Sequence, residues 1–149
     1  MKRIIGLTLA VALAGAFAIA SQGGTAASSS RSRALHVEKV CTPTYNGGPG
    51  DYCTITASNL GAIPPDSKVF YFEALVGTEL DSDVALYAGP GNVALGHVAL
   101  SLETFTGVIT LRGGTGDFKN FRARADVTYD ADRDVWQWDG TYRFGGNDQ

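Results

Sequence analysis

From residue 35 onward the apolar positions recur every second residue, and no stretch holds a helical period long enough to bury a helix face. Residues 35–42 carry Val37 and Val40 and predict a weakly patterned first strand. In residues 51–58, Cys53, Ile55 and Ala57 alternate with Thr54, Thr56 and Ser58, the signature of a half-buried strand. Residues 68–76 are apolar on both parities (Val69, Tyr71 and Leu75; Phe70, Phe72 and Ala74), which predicts a strand buried on both faces. In residues 79–88, Leu80, Val84 and Leu86 oppose Asp81, Asp83 and Tyr87. After the turn Gly89-Pro90-Gly91-Asn92, residues 93–102 form a long strand, again apolar on both parities except at His97 and Ser101. A further strand over 107–112 follows a turn at 103–106. Phe121, Ala123, Ala125 and Val127 then alternate with Arg122, Arg124, Asp126 and Thr128. A polar turn at 130–134 leads to a last strand in which Trp136, Trp138, Tyr142 and Phe144 share one face.

About eight short strands with turn signals at regular spacing imply an all-β domain, a barrel or a sandwich. A closed antiparallel barrel of eight strands is the expected fold and a sandwich the alternative, because closure removes the sheet edges that an isolated sheet must protect. The densest punctuation is Gly113, Gly114, Thr115, Gly116, Asp117, Phe118, where glycine answers a need for positive φ or close backbone approach. A phosphate-binding loop requires Gly-Lys-Ser/Thr and a following helix, and this segment leads into β-patterned sequence. It is therefore expected to be a structural corner.

Composition changes the picture chiefly at the N-terminus. Met1-Lys2-Arg3 precedes an apolar run over 4–20, and Ala18-Ile19-Ala20 fits a small-x-small cleavage site, with Gly24-Thr25-Ala26 as a second one. A signal peptide at 1–20 (cleavage as late as 26), a Gly/Ala/Ser-rich tether at 21–34, a barrel at 35–145 and a tail at 146–149 make the expected organisation. The protein is expected to be secreted, with no membrane association after cleavage. Cys41 and Cys53 are then expected to form a disulfide, worth about 3 kcal/mol by loop entropy. A metal site is not expected, since only His36 lies near the two cysteines. The 149-residue chain carries a net charge of −3, which argues against nucleic acid as a partner.

Candidate chemistry is sparse. Glu73 shares a parity with Tyr71 and Leu75, where partial burial would favour proton transfer; a strand-end rim position is the alternative. His97 lies mid-strand without a patterned nucleophile or second histidine, and a hydrogen-bonded core or interface role is expected before catalysis. Asp81 and Asp83 are expected to be solvated acids on an outer face, and Asp139 to cap a turn or pair with Arg143. Tyr71, Phe121, Trp136, Trp138 and Tyr142 are expected inside, filling a core or walling a ligand cavity.

Gly113-Gly114-Thr115-Gly116-x-Phe118-x-x-Phe121, with the later Trp138-Asp139-Gly140-Thr141-Tyr142-Arg143-Phe144, resembles the closing region of the allene oxide cyclase barrel-like proteins, relatives of the plant dirigent proteins. The segments 53–60 and 81–92 resemble the small secreted bacterial branch of that group. The resemblance implies an eight-stranded antiparallel barrel with a hydrophobic cavity, no cofactor and assembly as a homotrimer. Enzyme members fold an apolar substrate during ring closure; dirigent members steer coupling of phenolic radicals. Dirigent proteins carry an Arg after the glycine turn, and Arg122 is its nearest counterpart, although alternation points it outward. Polar motifs of the plant cyclases have no match. An exported barrel binding a small apolar or phenolic ligand in its lumen is the expected function, without catalysis; a cofactor-independent cyclase or isomerase, or a dirigent-like coupling guide, is the alternative.

Overall fold

Strand follows strand in chain order, each bonded antiparallel to the next, and the last closes on the first. The computed structural model describes residues 31–145, so the expected signal peptide, most of the tether and the tail lie outside the described residues. The strands are β1 (Arg33–Val40), β2 (Tyr52–Ser58), β3 (Lys68–Tyr71), β4 (Glu79–Tyr87), β5 (Val93–Ser101), β6 (Thr106–Gly114), β7 (Phe121–Asp130) and β8 (Val135–Phe144). The fold is an eight-stranded antiparallel barrel rather than a sandwich.

Alternation produces the core directly. Inward positions supply Val37, Ile55, Val69, Val84, Leu86, Leu111, Phe121, Val127 and Trp138, each buried to within a few per cent of completely. A fully buried Val, Leu, Ile or Phe is worth about 1.5–3 kcal/mol. The longest seam, β7 to β8, aligns Val127 with Trp138 and Ala123 with Tyr142, which puts Trp138 and Tyr142 inside, Trp136 half-buried and Phe144 exposed at the strand's end.

Two expectations need correction. The strand expected over 68–76 ends at Tyr71, and Phe72 and Val76 are 52% and 76% exposed. Ser82 explains the ending: its buried Oγ accepts the backbone N–H groups of Phe72 (3.1 Å) and Glu73 (3.2 Å), drawing the chain off the ladder. Residues 72–76 are thus a loop, exposed except for Leu75, which packs half-buried against the core, and not a strand buried on both faces. In β2 the register with β1 skips Thr56, so Ala57 aligns with Glu38 and leaves the face of Cys53 and Ile55.

The glycine cluster closes one end. Beyond β6 a one-turn 3-10 helix, Gly116–Phe118, drops Phe118 into the barrel, edge-on to Phe121 at 5.2 Å, and both rings are fully buried. Thr115 Oγ1 donates to Gly91 O (2.8 Å) and Asp117 N to Asn92 Oδ1 (3.0 Å), locking this corner onto the β4–β5 turn. Gly116 has φ +56°, and a Cβ on Gly114 would collide with the Val93 carbonyl oxygen.

Candidate functional site

The opposite end, bounded by the 41–51 loop and the 72–78, 102–105 and 131–134 connections, surrounds a recess of about 340 Å³. Leu80, Leu100 and Leu102 form its apolar wall. Phe105, Tyr129 and Trp136 form an aromatic lip, with Phe105 stacked on Tyr129 at 5.4 Å and Tyr129 4.9 Å from Trp136.

Lys39 occupies the floor. It is the third inward residue of β1 after Leu35 and Val37, and it is 2% exposed. Its Nζ donates to Tyr71 Oη (3.0 Å) and more weakly to Cys41 Sγ (3.4 Å). The rings of Trp136, Tyr71 and Trp138 surround it at 5.5, 5.7 and 5.9 Å from Nζ to centroid, a cation–π enclosure. No carboxylate pairs with it among the described residues. Burial pushes its pKa down to about 7.

The Cys41–Cys53 disulfide ties the 42–52 loop to β2 beside this lysine. Tyr45 N bonds to Cys41 O (2.8 Å), and Thr44 Oγ1 to Tyr52 O (2.7 Å). The loop thereby holds Tyr45 edge-on to Tyr71 at 5.0 Å. The Tyr45 hydroxyl is buried and has no hydrogen-bond partner. Burial raises the pKa of both phenols, so Tyr45 and Tyr71 stay protonated at neutral pH. A lysine amine and two phenols therefore face an apolar recess.

The residues expected to matter are distributed unevenly. Tyr71 and Trp136 line the recess, and Trp138 lies just beneath it. Phe121 and Tyr142 pack at the closed end. Glu73 is exposed, its Oε2 accepting Asp83 N–H at 2.5 Å, which fits the rim alternative. His97 is not a core residue: it stands on the outer face of β5, Nε2 2.7 Å from Asp81 and Nδ1 3.0 Å from Asp83. The hydrogen bond to Asp83, above all, raises its pKa. Asp139 bonds His36 Nδ1 at 2.6 Å. Arg122 points outward, donating to Phe121 O at 3.3 Å, and stands in a cross-strand row with Arg112 and Arg143. None of Glu73, His97 and Arg122 lines the recess.

Lys39 and Tyr45 were missed. The signal was present for Lys39, since Leu35, Val37 and Lys39 share the inward parity of one strand. For Tyr45, in a loop, sequence carries no such signal. Among the described residues no group of three His, Cys, Asp or Glu side chains could hold a metal ion. No protein-family model matches the chain, and no curated protein or solved structure does either.

Proposed function

We propose that this protein is an exported barrel that binds a small apolar or aromatic molecule in the recess at its disulfide-bearing end. One observation carries this reading: a recess of about 340 Å³ combines an apolar wall with converging polar groups at its floor, the usual make-up of a small-molecule site. The apolar N-terminal run with its cleavage pattern supports export, as does the disulfide. Among the described residues no helix is long and apolar enough to cross a membrane. Kinship with the allene oxide cyclase barrel-like proteins remains part of the proposal, supported by the glycine-turn motif and the closed eight-stranded barrel.

Lys39 beside Tyr71 favours a second reading, a cofactor-independent isomerase or cyclase, because an amine poised near neutral pH can donate or accept a proton. Native mass spectrometry of the purified barrel against a panel of lipids and phenolics tests the binding reading. Ligand adducts are expected on the wild type and are expected to vanish in Leu102→Trp, which fills the recess. Adducts that survive in a folded Leu102→Trp protein would place the ligand elsewhere.

A further inference from the structure

A buried cation is ordinarily offset by a buried anion, because the desolvation of an isolated charge is costly. Lys39 has no such partner among the described residues. Glu38, its neighbour in sequence, faces the outer side and is held by Arg133 through two bonds of 2.7 Å each. Asp134, at the lip of the recess, accepts from Tyr129 Oη at 2.7 Å and makes no ion pair with Lys39. Tyr71 Oη already accepts from Lys39. The hydroxyl of Tyr45 is buried beside the same recess and has no hydrogen-bond partner. A lysine without a carboxylate partner and a phenol without an acceptor thus border one apolar recess, and an oxyanion would answer both.

We propose that the recess takes a small apolar monocarboxylic acid, its carboxylate between Lys39 and Tyr45 and its tail against Leu80, Leu100 and Leu102. The proposal rests on the reading that the recess binds a ligand, and it names the chemical class. A carboxylate accepts from an ammonium and a phenol simultaneously, and such charge-assisted bonds are the strong ones. It also leaves the three rings around Lys39 in place, so the cation keeps its aromatic enclosure. The volume of 340 Å³ equals that of about eleven waters in the liquid, which suits a ligand of about ten heavy atoms. The arginine row on the outer wall is a poorer acid site: Arg112 and Arg122 are exposed, and ion pairs in water are weak.

The same arrangement predicts how protons follow the ligand. A bound carboxylate holds Lys39 in its charged form, whereas burial alone favours the neutral amine. Binding therefore takes up a proton above pH of about 7, and affinity falls as pH rises. The other groups facing Lys39 are the phenols of Tyr71 and Tyr45, with Tyr129 and the Asp134 carboxylate at the lip. The three phenols are shifted upward and remain neutral through this range.

The test is calorimetric titration of the full mature chain with sodium octanoate and with 1-octanol, at pH 6.5 and pH 9. Octanoate is expected to bind about tenfold or more tightly than octanol at the lower pH, the value of a hydrogen bond to a charged group. That advantage should shrink at the higher pH. Lys39→Met should abolish it while octanol binding persists, and Tyr45→Phe should reduce it several-fold. Octanol binding as tightly as octanoate to the wild type would overturn the acid assignment and leave the recess reading intact. Undiminished octanoate preference in Lys39→Met would do the same. Failure of both ligands to bind the wild type would overturn both.

Discussion

The two ends of this barrel are built from the same alternating strands and finished in opposite ways. At the glycine-turn end, Phe118 and Phe121 fill the lumen, and the polar groups of the corner, Thr115 Oγ1 and Asn92 Oδ1, are bonded to backbone. At the disulfide end the inward position of β1 carries Lys39, and a loop brings in Tyr45 with its hydroxyl unsatisfied. A corner that can adopt positive φ drops an aromatic stopper into the barrel. A covalently tethered loop instead leans a phenol over a cation and leaves space beside them. The contrast separates a part of the molecule where every local rule is obeyed from one where two are broken, and such breaches concentrate where proteins function.

The sharpest way to break the comparison is at the closed end. Gly114→Val, which drives a side chain into the Val93 carbonyl, is expected to cost more than about 4 kcal/mol or to leave no soluble protein. Urea melts would register this, and unchanged stability would show that the corner tolerates a side chain. Next in size is removal of the disulfide by the double change Cys41→Ser and Cys53→Ser. A loss of about 3 kcal/mol is expected from the freed loop, and the 42–52 amides should lose hydrogen-exchange protection while those of residues 113–121 keep theirs. Equal loosening at both ends would show that they are not independently finished.

The smallest effect is one of slope. The folded pKa of Lys39, pushed down to about 7, lies below the ordinary lysine value. Between pH 7 and about 10 the unfolded chain therefore carries a proton that the folded chain has released. Stability rises with pH through that window, by at most about 1.4 kcal/mol per pH unit. Above it the trend reverses, because Tyr71 and Tyr45 ionise more readily in the unfolded chain. Relative to Lys39→Met, denaturant midpoints of the wild type should climb across pH 7, 8 and 9. The comparison cancels the opposite trend of His36 and His97, whose raised pKa values cost stability as they deprotonate. A wild type without the climb would contradict an uncompensated lysine at this end.

The barrel was legible because period two dominates the chain from residue 35 and turn residues punctuate it. The parities of β4, β7 and β8 follow directly from Leu80, Val84 and Leu86, from Phe121 to Val127, and from the tryptophans. Periodicity failed at 68–76, where continuous apolarity mimics a buried strand and the decisive event is a hydroxyl on the neighbouring strand, Ser82. For His97 the hydrogen bonding holds and the core option fails, because a strand apolar on both parities does not reveal which side is wet. The site itself was half visible. Tyr71 and Trp136 stand out by their aromatic character, whereas a lone lysine in a weakly patterned strand, as Lys39 is, ordinarily means a solvated side chain. Its meaning depends on the closure of β1 onto β8, which brings the rings of Trp136 and Trp138 around its ammonium.

That closure has a consequence for how the molecule meets others. A sheet with a free margin can be lengthened by any passing extended chain, because its outermost strand presents a row of bare amides and carbonyls. Here β1 is bonded on one side to β2 and on the other to β8, and every remaining strand also has two neighbours. Along the paired lengths another polypeptide therefore finds no free row of backbone groups to extend. The outer wall and the connecting loops are left as the surfaces that can diverge without disturbing the ladder beneath them.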